Sequence, residues 1–115
     1  MPLICLHYSR FYEEKLRKRA IKGGILKGEW KVPLYSEIFV YISEENSVEE
    51  GKIDHKIGIA KIISCKVMKI KELTEKEAKM ECYKNRQELI DAVKYWHKLE
   101  EEDFITFVGF ELKVY

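Results

Sequence analysis

The sequence lacks long apolar runs, a low-complexity linker and any internal repeat, and each absence excludes a class of protein. Its longest apolar stretches span only a few residues, so we expect no membrane-spanning helix and no membrane partner. Residues 1–11 show no basic start followed by a long apolar stretch, so we expect no secretion signal and a cytoplasmic location. Because nothing divides the 115 residues, we expect one domain over 1–115.

The three cysteines are odd in number and widely spaced, and the three histidines form no cluster with them. A zinc site needs clustered ligands, so we expect no metal and no cofactor. Cys5 and Cys65 lie in apolar, strand-like runs, where a free cysteine is usually a small core residue. The acidic run at 100–103 could surround a divalent cation only if a loop folded around it, so we interpret it as a solvated connection.

Charge is unevenly distributed along the chain. Charged residues make up 36% of the sequence and apolar ones 46%, which indicates a compact folded protein. The net charge is +1, but residues 1–35 carry a net +5 and residues 72–103 a net −4. A near-neutral total therefore allows a local phosphate-binding surface. The richness in Lys, Glu and Ile also suits a heat-adapted source.

Hydrophobic periodicity predicts the order strand, helix, three strands, two helices and a closing strand. This order indicates an α+β fold with a mostly antiparallel sheet or barrel. Ser9 is placed to cap a helix from Arg10, and residues 37–43 alternate as a strand. The apolar segment 56–70 predicts a strand long enough to bend or bulge around a small barrel. The polar segment 44–54 predicts an exposed loop.

Two capped helices precede the last strand. Thr74 and Glu77 have the spacing of a capping box, in which each side chain bonds the other residue's backbone N–H. Asn85 begins the second helix. The apolar residues of that helix recur on one face, at Leu89, Val93 and Trp96.

This ordered set of residues resembles the ASCH family. The resemblance rests on GIAKI at 58–62, LTEKEA at 73–78, the amphipathic helix and the final FEL at 110–112. It is strong from 57 to 112 and poor from 23 to 36. It implies a small PUA-like, mostly antiparallel β-barrel with flanking helices, and a basic cleft between barrel and helices.

The basic run KLRKRAIKGG at 15–24 is the main candidate for nucleic-acid binding. Five of the eight residues at 15–22 are Lys or Arg, and the glycine pair lets a polyanion approach backbone N–H groups. We predict phosphate contacts at Arg17, Lys18, Arg19 and Lys22. Further RNA contacts are predicted at Lys27, Lys31 and Trp30, and Trp30, Tyr8 and Tyr35 could stack on unpaired bases. The alternative is a solvated helix face with the aromatic residues in the core.

Glu81 is the candidate catalytic residue, because the ASCH pattern places a glutamate after the alanine that is Ala78 here. The resemblance implies that this glutamate works with a lysine and a threonine in members that hydrolyse acetylcytidine. A carboxylate beside a lysine could activate water while the cation stabilises the oxyanion. The alternative is a surface glutamate that pairs with Lys84 or Lys76.

The lysine and threonine of that hydrolase pattern have no counterpart here. Aligned without gaps, the Lys, Thr and Arg positions of the pattern fall on Ala20, Gly23 and Ile25. Three residues earlier they fall on Arg17, Ala20 and Lys22, which retains charge but no hydroxyl. The acetylcytidine amidohydrolase motif is therefore degraded in this sequence.

We predict an RNA-binding ASCH domain that holds RNA in its basic cleft, with Glu81 at that cleft. One alternative is an enzyme of the same cleft, either a ribonuclease or an amidohydrolase of a modified nucleoside. Another is a protein-interaction module in transcription or translation regulation. His97, at the end of the last helix, is interpreted as structural because a cation there favours the helix dipole.

Overall fold

A computed structural model of the chain describes residues 5–43 and 53–115. Its helices and strands follow the predicted order: β1 (Cys5–Ser9), α1 (Glu13–Arg17), β2 (Gly23–Lys27), β3 (Glu37–Ser43), β4 (Ile53–Lys69), α2 (Glu75–Met80), α3 (Arg86–His97) and β5 (Phe104–Val114). Short 3-10 turns at Arg10–Tyr12 and Ile70–Glu72 lead into α1 and towards α2. The predicted loop at 44–54 lies almost wholly outside the described residues.

The five strands form one sheet in the order β1-β3-β4-β5-β2. β1 pairs with β3 in parallel, and the other three pairs are antiparallel, as expected for a mostly antiparallel sheet. β4 is 17 residues long and pairs with both β3 and β5. Its register against β5 shifts between Ile62 and Ser64, which confirms the expected irregularity and bends the sheet towards closure.

Two hydrophobic cores lie on the two faces of the curled sheet. The core inside the barrel is built from strand residues and from Leu16 of α1, and its largest members include Leu6, Ile42, Ile57, Ile62 and Phe110. The second core fills the space between the sheet and the helices, and includes Met68, Ile105, Phe107, Ala78, Leu89 and Val93. Because β5 contributes to both, its residues 105–110 are buried without interruption.

The predicted helix caps are confirmed. The Thr74 backbone N–H donates to Glu77 Oε1 at 2.7 Å, and the Thr74 hydroxyl oxygen accepts from the Lys76 N–H at 3.2 Å. Asn85 Oδ1 accepts from the Glu88 N–H at 2.9 Å, which caps α3. These bonds satisfy backbone donors that the first helical turn leaves without partners, so both helices start at defined residues.

The acidic connection between α3 and β5 forms exposed ion pairs with lysines. Glu102 lies 3.2 Å from Lys69 Nζ and 2.6 Å from Lys71 Nζ. Such pairs are consistent with the predicted solvated connection, and each contributes little to stability. α3 is the longest described helix, with 12 residues, and no helix within 5–43 and 53–115 is long and apolar enough to cross a membrane.

Candidate functional site

A seam separates β1 from β2, the two strands at the ends of the sheet. One hydrogen bond crosses it, from the Tyr8 hydroxyl to the Gly23 carbonyl oxygen at 2.6 Å. Side chains of β1 pack directly against the β2 backbone here, since a Cβ on Gly24 would lie 2.7 Å from the Tyr8 hydroxyl. A side chain larger than glycine would therefore force the seam apart.

A pocket, here called the Glu81 pocket, lies beside this seam and under α3. Its volume is about 50 Å³. It is lined by four groups of residues: Leu6, His7, Tyr8 and Ser9 of β1; Tyr12 and Ile25; Glu81 and Tyr83 after α2; and Leu89, Ala92, Val93, Trp96 and His97 of α3. Aromatic and polar side chains thus meet in one concavity that a single element could not form.

The turn that ends α2 directs Glu81 into this pocket. Cys82 adopts a left-handed backbone with φ of 64°. The N–H groups of Cys82 and Tyr83 then donate back to the carbonyl oxygens of Lys79 and Ala78, at 3.1 and 2.9 Å. This geometry closes a helix C-terminus tightly. The chain reverses at once, so that Glu81 and Tyr83 both face α3 and β1.

Glu81 is a buried carboxyl group, only 8% exposed. Among the described residues its Oε2 atom has no hydrogen-bond partner. Burial disfavours the charged form and raises the pKa of Glu81 to about 8. Near neutral pH the carboxyl group is therefore mostly protonated, and it offers one donor and one acceptor to the pocket.

Three tyrosines surround this carboxyl group. The hydroxyl oxygens of Tyr12 and Tyr83 lie 2.9 Å apart and share a hydrogen bond, and their rings are tilted at 6.2 Å. Burial raises the pKa of Tyr8 and of Tyr83, and a negative charge on Glu81 would raise both further. The Tyr8 and Tyr83 phenols therefore stay neutral and act as hydrogen-bonding groups.

The predicted phosphate contacts divide into two pairs. Arg17 Nε lies 2.9 Å from Glu13 Oε2, and Lys18 Nζ lies 2.7 Å from Glu14 Oε1, both one helical turn apart on exposed α1. Arg19 and Lys22 instead border a second concavity, here called the basic depression. Its other lining residues are Ile21, Ile63, Met80, Phe110, Glu111 and Leu112.

Arg19 is fixed at the edge of the basic depression. Its Nε donates to the Leu112 carbonyl oxygen at 3.2 Å, which leaves the rest of the guanidinium exposed. Arg19 also adopts a left-handed backbone with φ of 57° where the chain leaves α1. That turn carries the chain towards β2 and presents Lys22 on the same concavity.

The Glu81 pocket and the basic depression lie on opposite sides of the end of α2. The Lys22 N–H donates to the Met80 carbonyl oxygen at 2.7 Å, and Met80 lines the depression while Glu81 lines the pocket. Cys82 Sγ lies 3.1 Å from the Ala20 carbonyl oxygen, which holds the two segments together. The predicted basic residues and Glu81 are therefore neighbours, although they do not line one cleft.

Lys27, Trp30 and Lys31 line neither concavity. The Trp30 indole N–H donates to the Lys27 carbonyl oxygen at 2.7 Å, and the Trp30 backbone N–H donates to Thr106 Oγ1 at 2.8 Å. The Trp30 ring is half-buried and packs against the barrel core. RNA contact at these three residues stays a prediction.

Two solved structures share this architecture. Protein EF3133 from Enterococcus faecalis V583, assigned to family DUF984, matches with a TM-score of 0.66 and 9% identity, covering 99% of this chain and 78% of that one. An ASCH domain from Lactobacillus crispatus JV V101 matches with a TM-score of 0.56 and 12% identity, covering 89% of this chain and 70% of that one. The chain has the ASCH fold.

The ASCH fold confirms the predicted small PUA-like barrel with flanking helices. The sequence matches no protein-family model and no curated protein. At such low identity the structural likeness establishes the fold alone, and one fold hosts many functions. Any function of this protein must therefore be argued from its own side chains.

Sequence reasoning placed Glu81 at a cleft but did not identify Tyr12, Tyr83 and Trp96 as its neighbours. Tyr12 and Tyr83 are 71 positions apart, so no local pattern connects them. Trp96 was assigned to the apolar face of its helix, and it lines the pocket from that face.

Proposed function

We propose that the protein binds single-stranded RNA, with one base in the Glu81 pocket and nearby phosphates on the basic depression. The observation that carries this proposal is the Glu81 carboxyl group, which is buried, faces a pocket and has an Oε2 atom without a partner among the described residues. An unsatisfied buried polar atom costs about 1–3 kcal/mol. A ligand that bonds to this oxygen would recover that cost.

The pocket volume supports a single-ring base. A volume of about 50 Å³ holds roughly three to five water molecules, which occupy about 100–150 Å³ as liquid. That space suits one pyrimidine ring better than the fused rings of a purine. The rings of Tyr12, Tyr83 and Trp96 provide apolar walls for stacking.

The protonation state of Glu81 supports the same ligand. A neutral carboxyl group donates from one oxygen and accepts at the other. Cytosine and uracil both present an acceptor next to a donor on their pairing edges, so either base can pair with this group through two hydrogen bonds. A carboxylate could only accept, and its charge would oppose the nearby phosphates.

Arg19 and Lys22 are the phosphate contacts in this proposal. Both border the depression beside α2, and neither forms an ion pair among the described residues. Arg17 and Lys18 are held by Glu13 and Glu14, so they contribute mainly to the general positive field.

The test is the salt dependence of binding to fluorescein-labelled hexacytidylate, measured by fluorescence anisotropy. Arg19→Gln/Lys22→Gln should weaken binding and lower the slope of log K against log salt by about 1.4, since each lost phosphate contact removes about 0.7 for a single strand. Arg17→Gln/Lys18→Gln removes the same charge from the adjacent segment and should change the slope less. Equal effects of the two variants would reject the basic depression as the phosphate site.

A second arm tests the pocket. Glu81→Leu removes both hydrogen-bonding oxygens and should weaken hexacytidylate binding about tenfold, whereas Glu81→Gln keeps a donor and an acceptor and should bind nearly as well. Hexaadenylate should bind more weakly than hexacytidylate to the unmodified protein. Undiminished binding by Glu81→Leu would reject the pocket.

A hydrolase acting on RNA or a modified nucleoside is the second candidate. Glu81 has a pKa of about 8 and shares its pocket with the imidazole rings of His7 and His97, so side-chain types that often serve in acid–base catalysis line one concavity. No lysine or arginine of the described segments lines that pocket, so an oxyanion would have to be stabilised by tyrosines. Turnover that disappears in Glu81→Gln while binding persists would favour this candidate.

A further inference from the structure

We propose that Phe11 and Tyr95 are stacking surfaces for the bases that flank the base in the Glu81 pocket. The ligand would then be a segment of a single-stranded RNA chain rather than a free nucleoside. This inference rests on the proposed function and extends it to residues outside the pocket and the basic depression.

Phe11 and Tyr95 are unusually exposed for aromatic side chains. Phe11 is 72% exposed and Tyr95 is 69% exposed, which makes them the two most exposed of the large hydrophobic residues that the structure describes. Neither contributes to the two hydrophobic cores. The fold therefore does not account for a large apolar ring at either position.

Three other exposed aromatic rings are covered by lysines. Lys61 Nζ lies 5.7 Å from the Tyr35 ring centroid, Lys56 Nζ lies 5.5 Å from that of Tyr115, and Lys69 Nζ lies 5.6 Å from that of Phe104. These distances are within the range of a cation–π interaction. Within the described segments, no lysine or arginine lies over Phe11 or Tyr95, so no cation occupies the faces of these two rings.

Both exposed rings adjoin residues of the Glu81 pocket. Phe11 lies next to Tyr12, which lines the pocket on the β1 side. Tyr95 lies next to Trp96, which lines the pocket on the α3 side, and the two rings meet edge-on at a centroid distance of 5.1 Å. Each exposed aromatic residue is thus the chain neighbour of a residue that lines the pocket, one on the β1 side and one on the α3 side.

This arrangement fits an RNA strand that turns one base into the pocket. The bases on either side of an extruded base lose a stacking partner, and an aromatic side chain can replace it. Base–aromatic stacking tolerates any sequence because every base has a π face. Arg10 is an exposed cation next to Phe11 and could contact the backbone of the stacked nucleotide.

The test compares a chain with a single nucleotide, using hexacytidylate and cytidine monophosphate as probes. Phe11→Ala/Tyr95→Ala should weaken hexacytidylate binding at least about tenfold, since each stacking contact contributes roughly 5- to 150-fold. Binding of cytidine monophosphate and the salt slope for hexacytidylate should not change. Phe104→Ala/Tyr115→Ala is the control, because it removes two exposed rings that lysines already cover.

A spectroscopic signal provides a second measurement that a structural role would not affect. A hexanucleotide with 2-aminopurine on one side of a central cytidine should lose fluorescence on binding, because stacking quenches this base. The loss of 2-aminopurine fluorescence on binding should be smaller with Phe11→Ala/Tyr95→Ala than with the unmodified protein. With the control variant it should be unchanged. Thermal unfolding of both variants should match that of the unmodified protein, since the four rings are exposed.

The outcomes separate this inference from the proposed function. If the unmodified protein binds no hexacytidylate, both are wrong. If binding depends on Glu81, Arg19 and Lys22 but the Phe11→Ala/Tyr95→Ala variant behaves like the control, only the stacking surfaces are rejected. An equal loss for cytidine monophosphate and hexacytidylate would also overturn this inference, because the two rings would then act on the pocket itself.

Discussion

The Tyr8 hydroxyl donates a 2.6 Å hydrogen bond to the Gly23 carbonyl oxygen, and this contact links the first and last strands of the five-stranded order. Both groups are buried, and Tyr8 also forms part of the Glu81 pocket wall. The closure of the barrel and the shape of the pocket therefore depend on the same side chain.

Tyr8→Phe is expected to lower the free energy of unfolding by about 1–3 kcal/mol. The substitution keeps the ring but leaves the buried Gly23 carbonyl oxygen without this donor, which costs about that amount. Urea unfolding followed by circular dichroism measures the effect. Tyr41→Phe on β3 is a suitable control, because its ring is only half-buried on the outer face. Equal stability of Tyr8→Phe and the control would show that the seam does not need this bond.

The local parts of the fold could be predicted from the sequence, because their causes are local. The Thr74–Glu77 capping box joins residues three positions apart, and the alternation at Glu37–Ser43 is visible in the sequence itself. The strand order could not be derived in this way. It depends on β2 pairing with β5 across more than 75 residues, whereas the periodicity and the ASCH resemblance indicated a sheet or barrel without specifying which strands pair.

Glu81→Gln is expected to stabilise the fold by about 3 kcal/mol at pH 7. The pKa of Glu81 is about 8 in the folded protein, against the ordinary glutamate value of 4.5 in the unfolded chain. Between these values the folded state binds more protons than the unfolded state, so stability falls as the pH rises from about 4.5 to about 8. Glutamine does not ionise, so the variant avoids this loss of stability. A shift of one pKa unit corresponds to about 1.4 kcal/mol.

Urea unfolding of both proteins from pH 4 to pH 9 checks this expectation. The two stabilities should converge near pH 4 and differ most above pH 8, where the carboxyl group is ionised in both states. Glu88→Gln, an exposed glutamate in the first turn of α3, should show no such pH dependence and serves as the control. A constant difference between Glu81→Gln and the unmodified protein would contradict burial as the cause of the raised pKa.

RNA affinity should also depend on the ionisation of Glu81. If the protonated form donates a hydrogen bond to the base, hexacytidylate binding should weaken by about tenfold per pH unit above pH 8. Tyr8 and Tyr83 have raised pKa values, so they should not titrate in this range. Anisotropy titrations from pH 6.5 to pH 9.5 measure the change in hexacytidylate affinity. The affinity of Glu81→Gln should not show this pH dependence. A profile that is identical in the two proteins would assign the pH dependence to another group.

The site was less predictable than the fold, because burial decides its chemistry. Without the family resemblance, the sequence favours a surface glutamate at Glu81 that pairs with Lys84 or Lys76. The left-handed turn at Cys82 instead buries it against β1 and α3, and no short-range pattern encodes that environment. The ion pairs that hold Arg17 and Lys18 have the i, i+4 spacing and could have been read from the sequence.

Gly58→Ala is expected to destabilise the protein by about 3 kcal/mol or more, near the upper end of the cost of overpacking a core. Gly58 pairs with Val40 on one side and Val114 on the other, and a Cβ there would collide with the Lys113 carbonyl oxygen. Because the obstacle is backbone in a sheet, it cannot move aside as a side chain would. Gly28→Ala is the contrasting variant. Its Cβ would meet only the Trp30 Nε1 atom, in ordinary van der Waals contact at 3.9 Å. Its φ of 89° costs a non-glycine residue about 1 kcal/mol or somewhat more. Urea unfolding should rank Gly58→Ala well below Gly28→Ala, and the reverse order would show that β4 and β5 are not paired at Gly58.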